Sequence, residues 1–225
     1  MFWWIKQRLG IMKQAEITIP EFDDSTFVMP FQMEDTSICD ELIKFHKDEI
    51  YYKHPGTSLG GEEYPNAKKS TDVNVWPTCS HPTIETYKHI LFDFCTTYFN
   101  YYDINMGKLV MSDAFNIQYY KPGEGFFAEH YERNGNFYYD RVLVFMTYLN
   151  DVEDGGGTHF RFQNLTTKAK KGLTLLWPSD FTHIHNGIVS PTEHKYIATG
   201  WFNYLCGVDS YFEGVRDQMR NEENV

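Results

Sequence analysis

The stretch "RVLVFMTYLNDVEDGGGTHFRF", Arg141 to Phe162, decides how the chain is read. A run of β-forming residues ends in an acidic, glycine-rich turn, and a second short β run follows. The pattern repeats outward on both sides. "AFNIQYY" is followed by "KPGEG", "THFRF" precedes a basic turn holding "KAKKG", and "LTLLW" meets "PSD". "FTHIHNGIV" then meets "SPTEH", and "KYIATGWFNYL" closes the series. Several short strands at this spacing, from Ala114 onward, predict an antiparallel sandwich or barrel.

The first hundred residues have a different texture. "TFVMPF", Thr26 to Phe31, predicts a short strand ended by Pro30. "EDTSICDELIKFHKDEI" predicts a helix capped by Ser37, with Ile38, Leu42, Phe45 and Ile50 on one face. A second helix starts near Pro82, an acceptable first-turn residue, and carries Ile84, Tyr87, Leu91, Phe94 and Tyr98 on its apolar side. The Gly- and Pro-rich stretch between them, Lys53 to Ser80, is long enough to predict a loop that acts as a pocket lid. Helices first and strands later predict helices packed on one side of a β unit. The division expected within a single domain is helical and loop support over 1–112, a β core over 113–205 and a charged tail over 206–225.

The bulk numbers narrow the function. A chain of 225 residues with 17% aromatics and 42% hydrophobic residues has material for a sizeable core. A net charge of −11 argues against binding nucleic acid through phosphates or binding an anionic membrane. The four cysteines, Cys39, Cys79, Cys95 and Cys206, make no CxxC, so reduced thiols and a cytoplasmic location are expected. "MFWWIKQRLG" is too short in apolar length for a signal core or a membrane span. Gly155 to Gly157 are read as a strand-connecting turn, since no helix or "GK" follows to make a phosphate loop.

The chemistry lies in "FFAEHYERNG", Phe126 to Gly135. On a strand, alternation turns His130 and Glu132 to the same side. An HxE is weak evidence alone, and a solvent-facing polar strand explains it as well. Downstream, His183 and His185 form a second pair, and Lys195 follows His185 by ten residues. Two histidines and one carboxylate on one side of a metal leave the remaining positions open, the arrangement of non-haem Fe(II) oxygen chemistry. His183 and His185 would share a strand face, so alternation does not choose between them. Lys195 would pair with a carboxylate in the same pocket. His159 is expected on the opposite strand face, at the surface. Arg141 and Arg161 are secondary carboxylate or substrate partners.

With these motifs in place, "YKPGEGFFAEHYE", "RVLVFMTYLNDVEDGGGTHF", "KKGLTLLWP" and "THIHNGIVSPTEHKYIATGWF" resemble the prolyl 4-hydroxylase-like branch of the 2-oxoglutarate and Fe(II)-dependent dioxygenases, over roughly residues 114 to 204, in the form found in phages and marine bacteria. The resemblance implies a double-stranded β-helix, or jelly-roll, so the overall expectation is a mostly β fold with N-terminal helices on one side. It implies His130, Glu132 and His185 as metal ligands, with Glu132 standing where Asp is usual. It implies Lys195, Tyr120 and Thr199 at the 2-oxoglutarate site. Fe(II), 2-oxoglutarate and O2 are the implied cofactors, with ascorbate as an optional reductant. The implied substrate is a peptide or protein proline, with a small molecule open, and the reaction releases succinate and CO2. The competing expectations are a non-catalytic jelly-roll that binds metal or ligand, and an assembly component with a degenerate site.

Overall fold

The structure is a computed structural model, and it describes residues 17–50, 52–57, 65–105, 107–135 and 138–205. The expectations for the apolar N-terminus, the charged tail over 206–225 and Cys206 fall outside the described residues.

Two helices precede the main β region. Helix α1, Ser37–Asp48, buries Ile38, Cys39, Leu42 and His46. Ser37 is its first helical residue and not its cap: the preceding residue is Thr36, and the Asp35 carboxylate accepts from the Ser37 N–H at 2.9 Å. Ile50 lies beyond the helix end and is exposed. Helix α2, Pro82–Tyr101, starts at the expected proline and buries Ile84, Tyr87, Leu91, Phe94 and Tyr98 along one side.

The strands are β1 Ile17–Thr18, β2 Met29–Met33, β3 Lys53–Pro55, β4 Thr71–Val75, β5 Leu109–Val110, β6 Phe115–Tyr120, β7 Arg141–Tyr148, β8 Thr158–Phe160, β9 Leu165–Thr166, β10 Leu173–Pro178, β11 His185–Gly187 and β12 Lys195–Tyr204. The large sheet runs β1-β2-β10-β7-β12-β6-β4-β3, with β5 against β12, and a small sheet runs β11-β8-β9. Every pairing is antiparallel. This is the mostly β jelly-roll with helices on one side.

The first 112 residues therefore supply more than helices and loops: four of their strands extend the large sheet on both edges. Pro30 does not end its strand. It sits in β2 opposite Leu175, at a point where β1 no longer covers β2, and on an edge the missing N–H breaks no ladder. The stretch expected as a lid likewise contains β3 and β4.

β7 is buried along its whole length, because both sheet faces are covered. Leu143, Phe145 and Leu149 pack with Leu42, Tyr87, Leu91 and Phe94 from the helices. Val144, Met146 and Tyr148 point the other way, into a second buried cluster with Phe160, Trp177 and Ile197. Tyr87, fully buried, donates to the Thr147 hydroxyl at 2.8 Å, which ties α2 to the centre of the sheet.

Gly200 in β12 lies on the helix-facing side. A Cβ there would stand 2.5 Å from the Phe115 Cβ and 2.7 Å from the Phe145 ring. Gly200→Ala is therefore expected to destabilise the fold by about 1–3 kcal/mol through overpacking, read as a lower denaturant midpoint at unchanged slope.

Candidate metal centre

The segment 126–133 is not a regular strand. It is held by three separate anchors. Phe127 and Ala128 N–H groups donate to Ala67 O, His130 exchanges both backbone bonds with His185, and Glu132 and Arg133 N–H groups donate to Ser179 O. The extended bridge at His130 still sends His130 and Glu132 to one side, so alternation survives where the ladder does not.

His130, Glu132 and His185 offer donor atoms that all lie within 4.8 Å of one another. Glu132 Oε1 is 3.5 Å from His130 Nε2 and 3.6 Å from His185 Nε2. Donors about 2.1 Å from a metal and at right angles to each other stand ~3 Å apart, so a small contraction closes the set on one ion. The imidazoles are oriented from behind. His130 Nδ1 lies 3.0 Å from Ala128 O, and His185 Nδ1 lies 2.8 Å from His183 O. A ring whose Nδ1–H donates to a carbonyl presents the Nε2 lone pair, the form a metal needs. Burial, followed by the charge of His130, keeps the His185 ring below its usual pKa. Burial alone would raise the Glu132 carboxyl, but the two facing imidazoles outweigh it and hold it well below the usual range. An ionised carboxylate beside a neutral imidazole is the protonation state for capturing a cation.

The extra methylene of Glu132 is accommodated by its second oxygen. Oε2 accepts from the Trp201 indole at 3.1 Å and lies 3.6 Å from Arg141 Nη1, leaving Oε1 to face the histidines. Arg141 is not free for substrate. It is buried, its Nε donates to Asp113 at 2.9 Å, and its guanidinium lies between Trp201 and Tyr138 at 3.4 and 3.8 Å from their ring centroids. Arg161 is an exposed rim residue paired with Glu129 at 3.2 Å. His183 belongs to a short 3-10 turn, Phe181–His183, not to a strand; its Nε2 meets Thr26 O at 3.0 Å, and it supports His185 through its own carbonyl. His159 bonds Thr166 and stays outside the cluster.

Lys195, at the start of β12, is 5% exposed, opposite Tyr120 on β6. Its Nζ donates to Gly156 O at 3.1 Å and lies 4.9 Å from the Tyr120 ring centroid. Burial pushes its pKa down to about 8. Tyr120 donates to Gln118, and the Thr199 hydroxyl, two positions along the same side from Ile197, donates to Phe145 O at 3.0 Å. Two further side chains in this pocket carry no sequence motif. Tyr148 is opposite Ile197, a diagonal neighbour of Lys195, and its hydroxyl meets Thr158 and Thr167 at 2.8 Å each. Trp177 stands edge-on to His185 at 5.1 Å, and its buried Nε1 has no hydrogen-bond partner among the described residues. A buried donor left open beside a metal-competent cluster fits a pocket shaped for an oxygen-rich ligand.

Comparison with known proteins agrees with this geometry. Residues 115–203 match the family model described as the 2OG-Fe(II) oxygenase superfamily. These residues form a 2OG-Fe(II) oxygenase domain. The proteins it is similar to include prolyl 4-hydroxylases. A probable prolyl 4-hydroxylase of Arabidopsis thaliana is 30% identical over 116 residues, an overlap of 40% of this chain and 40% of that protein. The chain thus matches less than half the length of that relative. A viral collagen prolyl hydroxylase of Paramecium bursaria Chlorella virus-1 shares the fold at a TM-score of 0.59, with 20% identity over 86% of this chain and 97% of that one. A Trichoplax adhaerens prolyl hydroxylase, solved with a peptide of the hypoxia inducible factor oxygen degradation domain, superposes at 0.62, with 14% identity over 83% of each chain. Among the described residues no helix is long and apolar enough to cross a membrane.

Proposed function

We propose that this protein is a 2-oxoglutarate- and Fe(II)-dependent dioxygenase that hydroxylates a peptidyl proline. The observation that carries the reading is the convergence of His130 Nε2, His185 Nε2 and Glu132 Oε1, with the buried Lys195 close by, its Nζ 3.7 Å from where a Cβ on Gly187 would stand. In this reading those three residues hold Fe(II), which when bound supplies the oxygen chemistry: substrate C–H, O2 and 2-oxoglutarate become substrate C–OH, succinate and CO2. The chain's own residues bind, orient and exclude. Lys195 has spare donors for a carboxylate: among the described residues its ammonium hydrogen-bonds Gly156 O and lies over the Tyr120 ring. Tyr120 and Tyr148 place hydroxyls on the same side. Trp201 and Arg141 keep Glu132 from swinging, and the apolar walls of Val144, Phe160 and Trp177 keep out water.

A peptide suits the rim. The rings of Tyr139, Phe162 and Phe181 are exposed, and rigid aromatic surface is good material for holding an extended chain. Cys39, Cys79 and Cys95 are free thiols.

Anaerobic addition of Fe(II) and then 2-oxoglutarate is expected to produce a weak visible absorption band near roughly 500 nm, as an open three-ligand site that chelates a 2-oxo acid should. Stoichiometric iron binding with no band would move the non-catalytic binding module to the front.

A further inference from the structure

A second buried ammonium lies close to the first. The segment 65–70 crosses over the approach to His130, with Lys69 N–H donating to Gly125 O at 2.8 Å and Lys68 bridged to Phe126. Lys68 and Asp72 are 4% and 1% exposed, and Lys68 Nζ meets Asp72 Oδ2 at 2.6 Å. Ser70 donates to the other Asp72 oxygen at 2.7 Å. Lys68 lies 5.5 Å from the Phe126 ring centroid, and that ring stacks on His130 at 3.7 Å.

Asp72 is on the same side of the sheet as the carboxylate anchor. It stands opposite Gln118, which accepts from Tyr120, and Tyr120 stands opposite Lys195. Two strand spacings separate β4 from β12, or about 10 Å. The field of Asp72 reaches this far in: after burial, its charge is the next cause that raises the Tyr120 phenol. A carboxylate here works against a pocket that must receive a dianion, and a buried ion pair is seldom kept for stability alone.

We propose that Lys68 is a specificity-determining residue that masks Asp72, so that the pocket shows a dicarboxylate the net single positive charge of Lys195. This rests on the oxygenase reading above. Lys68, Asp72 and Lys195 together carry +1. Lys68→Met takes the sum to zero, Asp72→Asn takes it to +2, and the double variant restores +1. Unit charges about 10 Å apart in a partly buried setting change affinity by about tenfold.

The test is the affinity for 2-oxoglutarate of the Fe(II)-loaded protein, titrated anaerobically at pH 7 and followed by its absorption, with thermal unfolding run on each variant. Lys68→Met should bind about tenfold more weakly, Asp72→Asn at least as tightly as the parent, and the double variant within about threefold of it. If Lys68→Met fails to fold, the sign of the Asp72→Asn effect decides by itself. Weaker binding in Asp72→Asn, or a double variant no better than Lys68→Met, reduces the pair to a structural tie and overturns the inference. Parent protein that binds 2-oxoglutarate while no variant shifts affinity overturns this inference alone. Parent protein that binds none overturns the oxygenase reading and takes the inference with it.

Discussion

His185→Ala is expected to abolish Fe(II)-dependent succinate formation, and His130→Ala to do the same. Each removes one of three converging donors, and among the described residues no other His, Cys or carboxylate joins the group: His183 turns to Thr26 O and His159 to Thr166. Loss of a partner that only orients a ligand costs roughly 10–100-fold in metal affinity, so loss of the ligand itself should cost more. His183→Ala is the control that separates the two histidines of "HIH". Its ring bonds a β2-side carbonyl, while its own backbone carbonyl orients His185. The variant should lose about 1–3 kcal/mol of stability from the stranded Thr26 carbonyl but retain iron binding and turnover. Equilibrium iron binding and succinate release in the three variants check this. Turnover in His185→Ala with none in His183→Ala would exchange their roles.

The parts of this site that could be read from sequence were those carried by short-range chemistry. The order of strands and turns from Phe115 to Tyr204 follows from local signals, while the grouping of His130, Glu132, His185 and Lys195 follows from the resemblance to the oxygenase family, since the HxE alone is weak. What could not be read depends on who lies across the sheet. Arg141 looks like a free cation at a strand head, yet β7 pairs with β12 so that Trp201 lies beside it and Glu132 is 3.6 Å away, which commits it to the Glu132 carboxylate. Tyr148 carries no motif because its role comes only from being a diagonal neighbour of Lys195. Segment 126–133 was expected to be a strand since its residues suit one, but its N–H groups go to Ala67, His185 and Ser179, carbonyls from three distant parts of the chain. Likewise β3 and β4 lie in a stretch of loop texture, and only closure of the large sheet recruits them.

Lys195→Met should separate function from stability in opposite directions. A charge-assisted bond from a buried ammonium to a ligand carboxylate costs about 2–5 kcal/mol to remove, and so about 100-fold in the 2-oxoglutarate requirement, while iron binding is untouched. Yet without ligand this ammonium is a liability. It is 5% exposed, and burial lowers its pKa from the usual 10.5 to about 8. Because the folded value lies below the unfolded one, the unfolded chain holds the extra proton between pH 8 and about 10.4. The unliganded protein therefore gains stability as pH rises through that window, and below pH 8 it bears the whole cost of the buried charge. Methionine removes that cost, so at pH 7 the unliganded variant should be more stable than the parent by as much as about 3 kcal/mol, and its stability should lose the rise above pH 8. Affinity runs the other way in the parent: only the ammonium form binds a carboxylate, so 2-oxoglutarate affinity is level below pH 8 and falls about tenfold per unit above it. Thermal unfolding and ligand titration across pH 6–10 measure both. A variant that is less stable than the parent at pH 7 and binds 2-oxoglutarate normally would make Lys195 a structural residue and leave the co-substrate without its anchor. A variant that is more stable and cannot bind shows a charge kept in the core at a cost for the ligand it holds.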